Sequence, residues 1–463
     1  MDLVLKHARD HTQRHISLLQ ELGSLPTISN SAAFAPYMKQ AAKWLRGQLL
    51  DLGCQEAEIL PTHGHPIVFA KLRCPSPNRP TLLVYGHYDV QPVEDEKCWK
   101  TNAFSPERRG DRLFGRGISD MKGQIIAILA ALHAYRSAGE IPLNIEFIIE
   151  GEEEIGSPHL AGALKELADR LEAETVLNLD AGFLAPDLPT ICYGLRGIAS
   201  FELVVEGPST NLHSGVFGGV VHNPVQALAS VLGGLINPAG MVQIPGFYQD
   251  VRPLENAERR MLSSLPLDAR YYLERTGVPE LWGEPDYSPL ERVVARPTLE
   301  INGIAGGYDG PGEMAIIPSR AGAKITTRLV PDQEPDAVHS QLLSYLRSNM
   351  PSTVRWQLHY YGGIKPYLAD RSSAEYAAFA RSLEHAFNRK AIYIRDGGTI
   401  AAAVLMKEIL GLDSILSGFG LPTDNIHAPN EHIHLPTWQK GIDALVLFMA
   451  ELGEMRTKEK AIG

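Results

Sequence analysis

Residues 81–92 read TLLVYGHYDVQP, and this stretch decides the fold. A near-continuous apolar run at 81–85 stops at Gly86, and His87 and Asp89 follow at once. Alternation would mark a strand with one wet face, whereas an unbroken apolar run marks a strand covered on both faces. The same texture recurs at 67–72 (IVFAKL), 143–149 (LNIEFII) and 175–179 (TVLNL). Helical spacing lies between these runs. From Phe34 to Leu52, Ala41, Ala42, Leu45, Leu49 and Leu52 share one face and Gly53 supplies the stop, and a second helix is expected over about 120–136. Strands separated by helices predict an α/β fold.

The texture changes at Gly197. FELVVEG (201–207) and KITTRLV (324–330) alternate, VRWQLHYY (354–361) follows, and helical segments are expected near 223–236 and 335–348. Such a set predicts a small sheet with helices on one face. From about 372 the first texture returns, with helices near 373–388, 399–410 and 437–453 and a short strand near 413–417. The expected division is a first domain in two pieces, 1–196 and 363–463, interrupted by an inserted α+β domain at 197–362. Residues 238–297 are irregular and give no clear pattern.

With 463 residues the chain exceeds what one core serves, which also points to two domains. A net charge of −11 without a dense Lys/Arg stripe argues against nucleic acid or an anionic membrane as partner. No run of about 18 apolar residues offers a membrane span. The opening MDLVLKHARDHTQRH lacks the apolar centre of a secretion signal. Cys54, Cys74, Cys98 and Cys192 are scattered, as reduced structural thiols would be. These features together predict a cytoplasmic protein.

Chemistry concentrates where apolar runs end. His87 and Asp89 follow one strand, Glu150, Glu152, Glu153 and Glu154 follow another in EGEEEIGS, and Asp180 closes a third in NLDAG. Asp120 lies before a helix in GRGISDMKG. Open α/β sheets place ligands at such strand ends. Adjacent carboxylates repel one another unless a cation neutralises them. Imidazole with carboxylates suits zinc, and also manganese or cobalt. The acids outnumber the needs of a single tetrahedral ion, which favours two metals sharing a bridging carboxylate. Each motif alone has a bland reading: a core histidine, a solvated acidic face, a helix cap. Their joint placement at strand ends favours the metal. A second imidazole would come from DNIHAPNEHIH, where His427, His432 and His434 compete. His213, in TNLHSGVFGG, heads a helix of the inserted domain.

In this order HYDVQP, GRGxSDxKG, EGxEExGS, the Asp-ending strand, LHSGxxGG and HxxNE resemble one family. It is the di-zinc metallopeptidases that include carnosinase-like cytosolic dipeptidases, carboxypeptidase G, aminoacylase and succinyl-diaminopimelate desuccinylase. The resemblance runs from about residue 10 to 455. It implies a catalytic domain with a central mixed sheet flanked by helices and an inserted lid domain through which subunits form a homodimer. It further implies two zinc ions per subunit, one held by His87, Asp120 and Asp180, the other by Asp120, Glu154 and His427. Asp89 would orient His87, and Glu153, the first Glu of the EE pair before xGS, would be the general base. The oxyanion would be met by zinc and by His213 from the partner subunit. Arg328 in ITTRLVP matches the family's carboxylate-binding arginine, Thr399 in RDGGTI matches a substrate contact, and a cis bond is implied at Asp120–Met121. Ala315 departs from the threonine of carnosinase-like members.

Within the family peptidases tend to have Asp after NL, whereas N-acyl deacylases and carboxypeptidase G tend to have Glu, so Asp180 points to a peptidase acting on dipeptides or similar small amides. The alternatives are an N-acyl-amino-acid amidohydrolase or a carboxypeptidase on the same scaffold. A catalytically dead binding protein should have lost a ligand or the base, and all are present.

Overall fold

A computed structural model describes residues 1–76, 78–94 and 96–459, the last four as backbone only. It divides into two compact units. One comprises Met1–Tyr193, Ala369–Ile394 and the chain from Ile400 onward; the other comprises Gly194–Leu368 and Arg395–Thr399.

The first unit is built on a mixed sheet. Its order runs Glu56–Leu60, Ile67–Leu72, Asn144–Glu150, Thr81–His87, Thr175–Asn178, Ser414–Leu416, Thr190–Leu195. Ile67–Leu72 and Thr81–His87 are buried at every position, as their largely apolar sequence requires, and the one charge in the first, Lys71, lies 3.3 Å from Glu146. Thr81–His87 runs parallel to both Asn144–Glu150 and Thr175–Asn178, with His87 opposite Glu150. Three parallel strands therefore end at the same edge. The strand reaches two residues further than its apolar run, so His87 is its last residue and not the first of a loop. Ser414–Leu416 comes from far along the chain and pairs in parallel with Thr175–Asn178 inside the sheet.

Helix Ala35–Leu52 buries the predicted face and ends at Gly53 with φ 99°, where glycine avoids the Cβ clash of a left-handed residue. Helix Gly123–Ala138 is buried over most of its surface because its sequence is apolar all round. Two helices at the start of the chain, Asp2–Asp10 and Thr12–Gly23, were not anticipated. None of the four cysteines forms a disulfide. Among the described residues no helix is long and apolar enough to cross a membrane.

Where Thr12–Gly23 and Gly123–Ala138 meet, the rings of His15 and His133 stack with centroids 6.2 Å apart. The Nδ1 atom of each is buried without a hydrogen-bond partner. Burial, reinforced for His15 by His133 and for His133 by Arg14, pushes both rings down to about 4. Between that value and the ordinary 6.5 the unfolded chain binds protons that the folded one refuses, so stability is lost as pH falls through this window. Each group contributes at most ~1.4 kcal/mol per pH unit. Denaturant titrations at pH 6.5 and pH 5 should show wild type losing about 3 kcal/mol more than a His15→Leu/His133→Leu variant. Equal losses would show that the pair is not neutral in the fold.

The second unit holds a four-stranded antiparallel sheet, ordered Thr298–Gly306, Arg320–Leu329, Gly197–Glu206, Arg355–Ile364. Burial alternates along Gly197–Glu206 and Arg320–Leu329, so only one face is packed. That face carries Phe201, Leu203, Val205 and Ile325, which join Leu228 and Leu232 of helix Pro224–Gly233 and Leu342 of helix Pro335–Asn349 in one core. Thr298–Gly306 was missed, and the irregular stretch at 238–297 contains three short helices, Asn256–Ser263, Ala269–Thr276 and Pro289–Ala295.

Candidate metal centre

Each acidic motif is held at the sheet edge by its own backbone device. Asp120 lies in the segment Ile118–Lys122 ahead of helix Gly123–Ala138, with non-helical φ/ψ of −118° and 101°, and the Asp120–Met121 peptide is cis. Gly117 opens this turn at φ 76°, and a Cβ there would lie 2.3 Å from Val90. Gly151, between Glu150 and the acidic run, would drive a Cβ to 2.5 Å from the Tyr88 ring. His427 sits in a loop with φ 62°, a left-handed backbone uncommon for a residue with a Cβ.

These turns bring the acids and two imidazoles together. Asp120 Oδ1 is 3.0 Å from His87 Nε2, while Asp120 Oδ2 is 3.0 Å from His427 Nε2. His87 Nε2 also lies 3.4 Å from Asp180 Oδ1, and His427 Nε2 lies 3.0 Å from Glu154 Oε2. Among the described residues two groups have ligand atoms close enough to hold an ion: His87, Glu153 and Asp180, and Asp120, Glu154 and His427. Asp120 is the carboxylate that faces both imidazoles. His432 and His434 are engaged elsewhere. The former has Nδ1 3.0 Å from the Asn430 carbonyl, and the latter has Nδ1 2.8 Å from the Thr437 hydroxyl.

The donor set fits cations. His87 Nδ1 faces Asp89, 3.2 Å from its carbonyl and 3.4 Å from its carboxylate. If that nitrogen carries the proton, Nε2 presents a lone pair to two carboxylates, an arrangement that only a proton or a metal reconciles. Against the cost of burial, Asp180 and Asp120 raise the His87 ring well above its ordinary range. Hydrogen bonds to Asp120 and Glu154 raise His427 to about 10. Burial pushes Asp180 up to about 6 and, with the Asp180 charge, lifts Glu153 well above the carboxylate range. Against its own burial Asp120 is pulled down by His427 and His87. Protons on two imidazoles thus stand in for the positive charge that four clustered carboxylates demand.

The surrounding contacts hold the acids in place. Fully buried Asp89 accepts the backbone N–H groups of Glu153 (3.2 Å) and Glu154 (3.1 Å), a task beyond orienting His87. Gln91, not singled out in the sequence, donates to Glu154 Oε2 at 2.9 Å and to its carbonyl at 3.1 Å. Its place in HYDVQP, two residues past Asp89, was the available signal. Glu152 turns away from the centre to His159 Nδ1 at 2.7 Å.

The remaining candidates lie in the second unit. His213 caps the short helix Ser214–Phe217, its Nδ1 accepting from Gly215 N at 3.0 Å, and the ring is exposed. Ser214 N donates to the carbonyl of Ala315, so the departing position lies beside this histidine. Arg328 donates to Thr399 Oγ1 at 2.9 Å, and Thr399 donates to the Arg196 carbonyl at 2.6 Å. Arg196 was not foreseen. Burial and the nearby Arg328 charge lower it to about 10, and neither arginine forms an ion pair with a carboxylate among the described residues. Two partly buried guanidinium groups without a carboxylate in ion-pair contact, Asp396 acting on both only at a distance, suit an anion.

A mixed α/β sheet with acids and imidazoles gathered at its parallel strand ends defines a metal-dependent hydrolase. The model of peptidase family M20/M25/M40 matches residues 83–451, and the chain belongs to that family. It is 31% identical over 415 residues to the human Beta-Ala-His dipeptidase, covering 88% of this chain and 81% of that one. It is 28% identical to a Cys-Gly metallodipeptidase of Candida albicans, with 93% of each chain covered. The structure of an M20 metallo-carboxypeptidase from Sulfolobus solfataricus superposes with a TM-score of 0.86 at 31% identity, over 95% of this chain and 99% of the other.

Proposed function

We propose that the protein is a dipeptidase, hydrolysing the amide bond of dipeptides or similarly small substrates with a free amino end. The observation that carries this reading is the geometry of Asp120, with each oxygen 3.0 Å from a different imidazole. His87, Asp120 and Asp180 would hold one ion and Asp120, Glu154 and His427 the other. Zinc suits the donors best, with manganese or cobalt as substitutes. Bound ions supply Lewis acidity and acidify a water. Glu153, lifted in pKa by burial and Asp180, would accept a proton from the attacking water and pass it to the leaving amine. Asp89 fixes the backbone of Glu153 and Glu154 and the ring of His87, keeping base and ligands in register.

In the second unit His213 meets the oxyanion, its ring free to donate from Nε2 while Nδ1 is committed to Gly215. In the homodimer that we propose, the inserted unit mediates pairing and His213 acts across the interface. Arg328, set by Thr399, receives the substrate carboxylate. The cytoplasm is the proposed location. A carboxypeptidase is the second reading, favoured by the name of the Sulfolobus solfataricus relative. Steady-state kinetics on a dipeptide, its N-acetyl form and a longer peptide separate these readings. The free dipeptide should exceed its N-acetyl form in kcat/KM by ~10²-fold or more. A preference for the N-acetyl form would mark a deacylase, and one for the longer peptide a carboxypeptidase.

A further inference from the structure

Glu431 is 1% exposed, immediately before the strand His432–His434, and the chemistry above gives it no task. Its carboxylate is nevertheless fully engaged. Oε2 accepts Arg116 Nη1 at 2.8 Å and Gly117 N at 2.9 Å, while Oε1 accepts Ser119 N at 3.0 Å and Asp120 N at 3.2 Å. Its carbonyl accepts Gly115 N at 2.9 Å. One residue therefore satisfies five donors along the segment from Gly115 to Asp120. That segment cannot satisfy them by helix bonding, since Gly117 is left-handed and Asp120 is extended. Buried N–H groups left without acceptors would force the turn to another shape.

We infer that Glu431 is a positioning residue for the metal centre, holding the backbone of Gly117, Ser119 and Asp120 so that both Asp120 oxygens reach their imidazoles. This rests on the reading of Asp120 as the shared ligand. A buried ion pair with Arg116 could serve stability alone, but Arg116 touches only one oxygen. The other is spent on Ser119 N and Asp120 N, at the ligand itself. Partners behind the ligands commonly set metal affinity by 10–100-fold. Glu431→Gln keeps size and shape but turns an NH₂ group toward two of the donors, losing those bonds.

The experiment uses the full chain and Zn²⁺ alone, in competition with a chromophoric chelator, with circular dichroism to confirm folding. Glu431→Gln should raise the Kd for Zn²⁺ by about 10–100-fold, and for both ions because Asp120 serves both. Glu146→Gln is the control. That buried carboxylate, 3.3 Å from Lys71 and accepting Glu172 N at 3.0 Å, should lower thermal stability and leave Zn²⁺ affinity unchanged. A folded Glu431→Gln with wild-type affinity overturns the inference and leaves only a structural ion pair. If that variant does not fold, Glu431→Asp, one methylene short, should still weaken binding by at least ~5-fold. Unchanged affinity there overturns the inference equally. A wild-type protein that takes up no Zn²⁺ overturns the reading of Asp120 itself, and this inference with it.

Discussion

Glu153→Ala should keep its full metal content and lose ~10²–10⁴-fold in kcat. The glutamate lies with His87 and Asp180, close enough that geometry alone would let it bind an ion. Its surroundings argue for proton transfer. Burial and the Asp180 charge hold it well above the ordinary carboxylate range, so it binds a proton readily, as a shuttle must. A group that moves a proton changes kcat, whereas one that holds an ion changes occupancy first. Elemental analysis alongside kinetics distinguishes the two, and Glu153→Ala protein that has lost metal would make this residue a ligand.

Asp120→Ala should lose both ions and fall to background activity, while Glu154→Ala and His427→Ala should each lose one. The asymmetry follows from Asp120 alone facing the imidazoles of both groups. Removing it also leaves His87 and His427 facing the remaining acids without the carboxylate between them. Metal counted per chain after gel filtration tests this directly. One ion retained in Asp120→Ala would show that the two positions do not share it.

The buried strands were legible because burial on both faces leaves a near-continuous apolar record, as at Ile67–Leu72, where Lys71 is the single interruption. Thr298–Gly306 left none: its outer residues are exposed, glycine and asparagine interrupt it, and a bulge falls between Ile301 and Gly303. Its structure comes from the partner strand Arg320–Leu329 and not from its own pattern. The first two helices were hidden by histidines and charges, two of which pack inward or pair at a distance, as His15 and Arg9 do. At the metal centre, residue types and strand-end positions marked the acids. Residue types alone did not choose among His427, His432 and His434, and only the HxxNE resemblance pointed to His427, because it is a left-handed turn there that brings this ring to Asp120. Gln91 and Glu431 lie within the motifs HYDVQP and HxxNE but received no role, because their work is to hold backbone, which leaves no charge pattern.

The strand Ser414–Leu416 lies inside the central sheet, beside Thr175–Asn178. During synthesis the ribosome must add more than two hundred residues after the first of these strands before it reaches the second. At about 5–20 residues per second, that interval is on the order of 10–50 s. Throughout it the nascent sheet ends in an open, apolar strand edge, the kind of surface that pairs with neighbouring chains. Translation of the intervening segment is therefore a waiting period during which the early strands lack a partner on that edge. The centre at their ends stays incomplete until His427 has emerged.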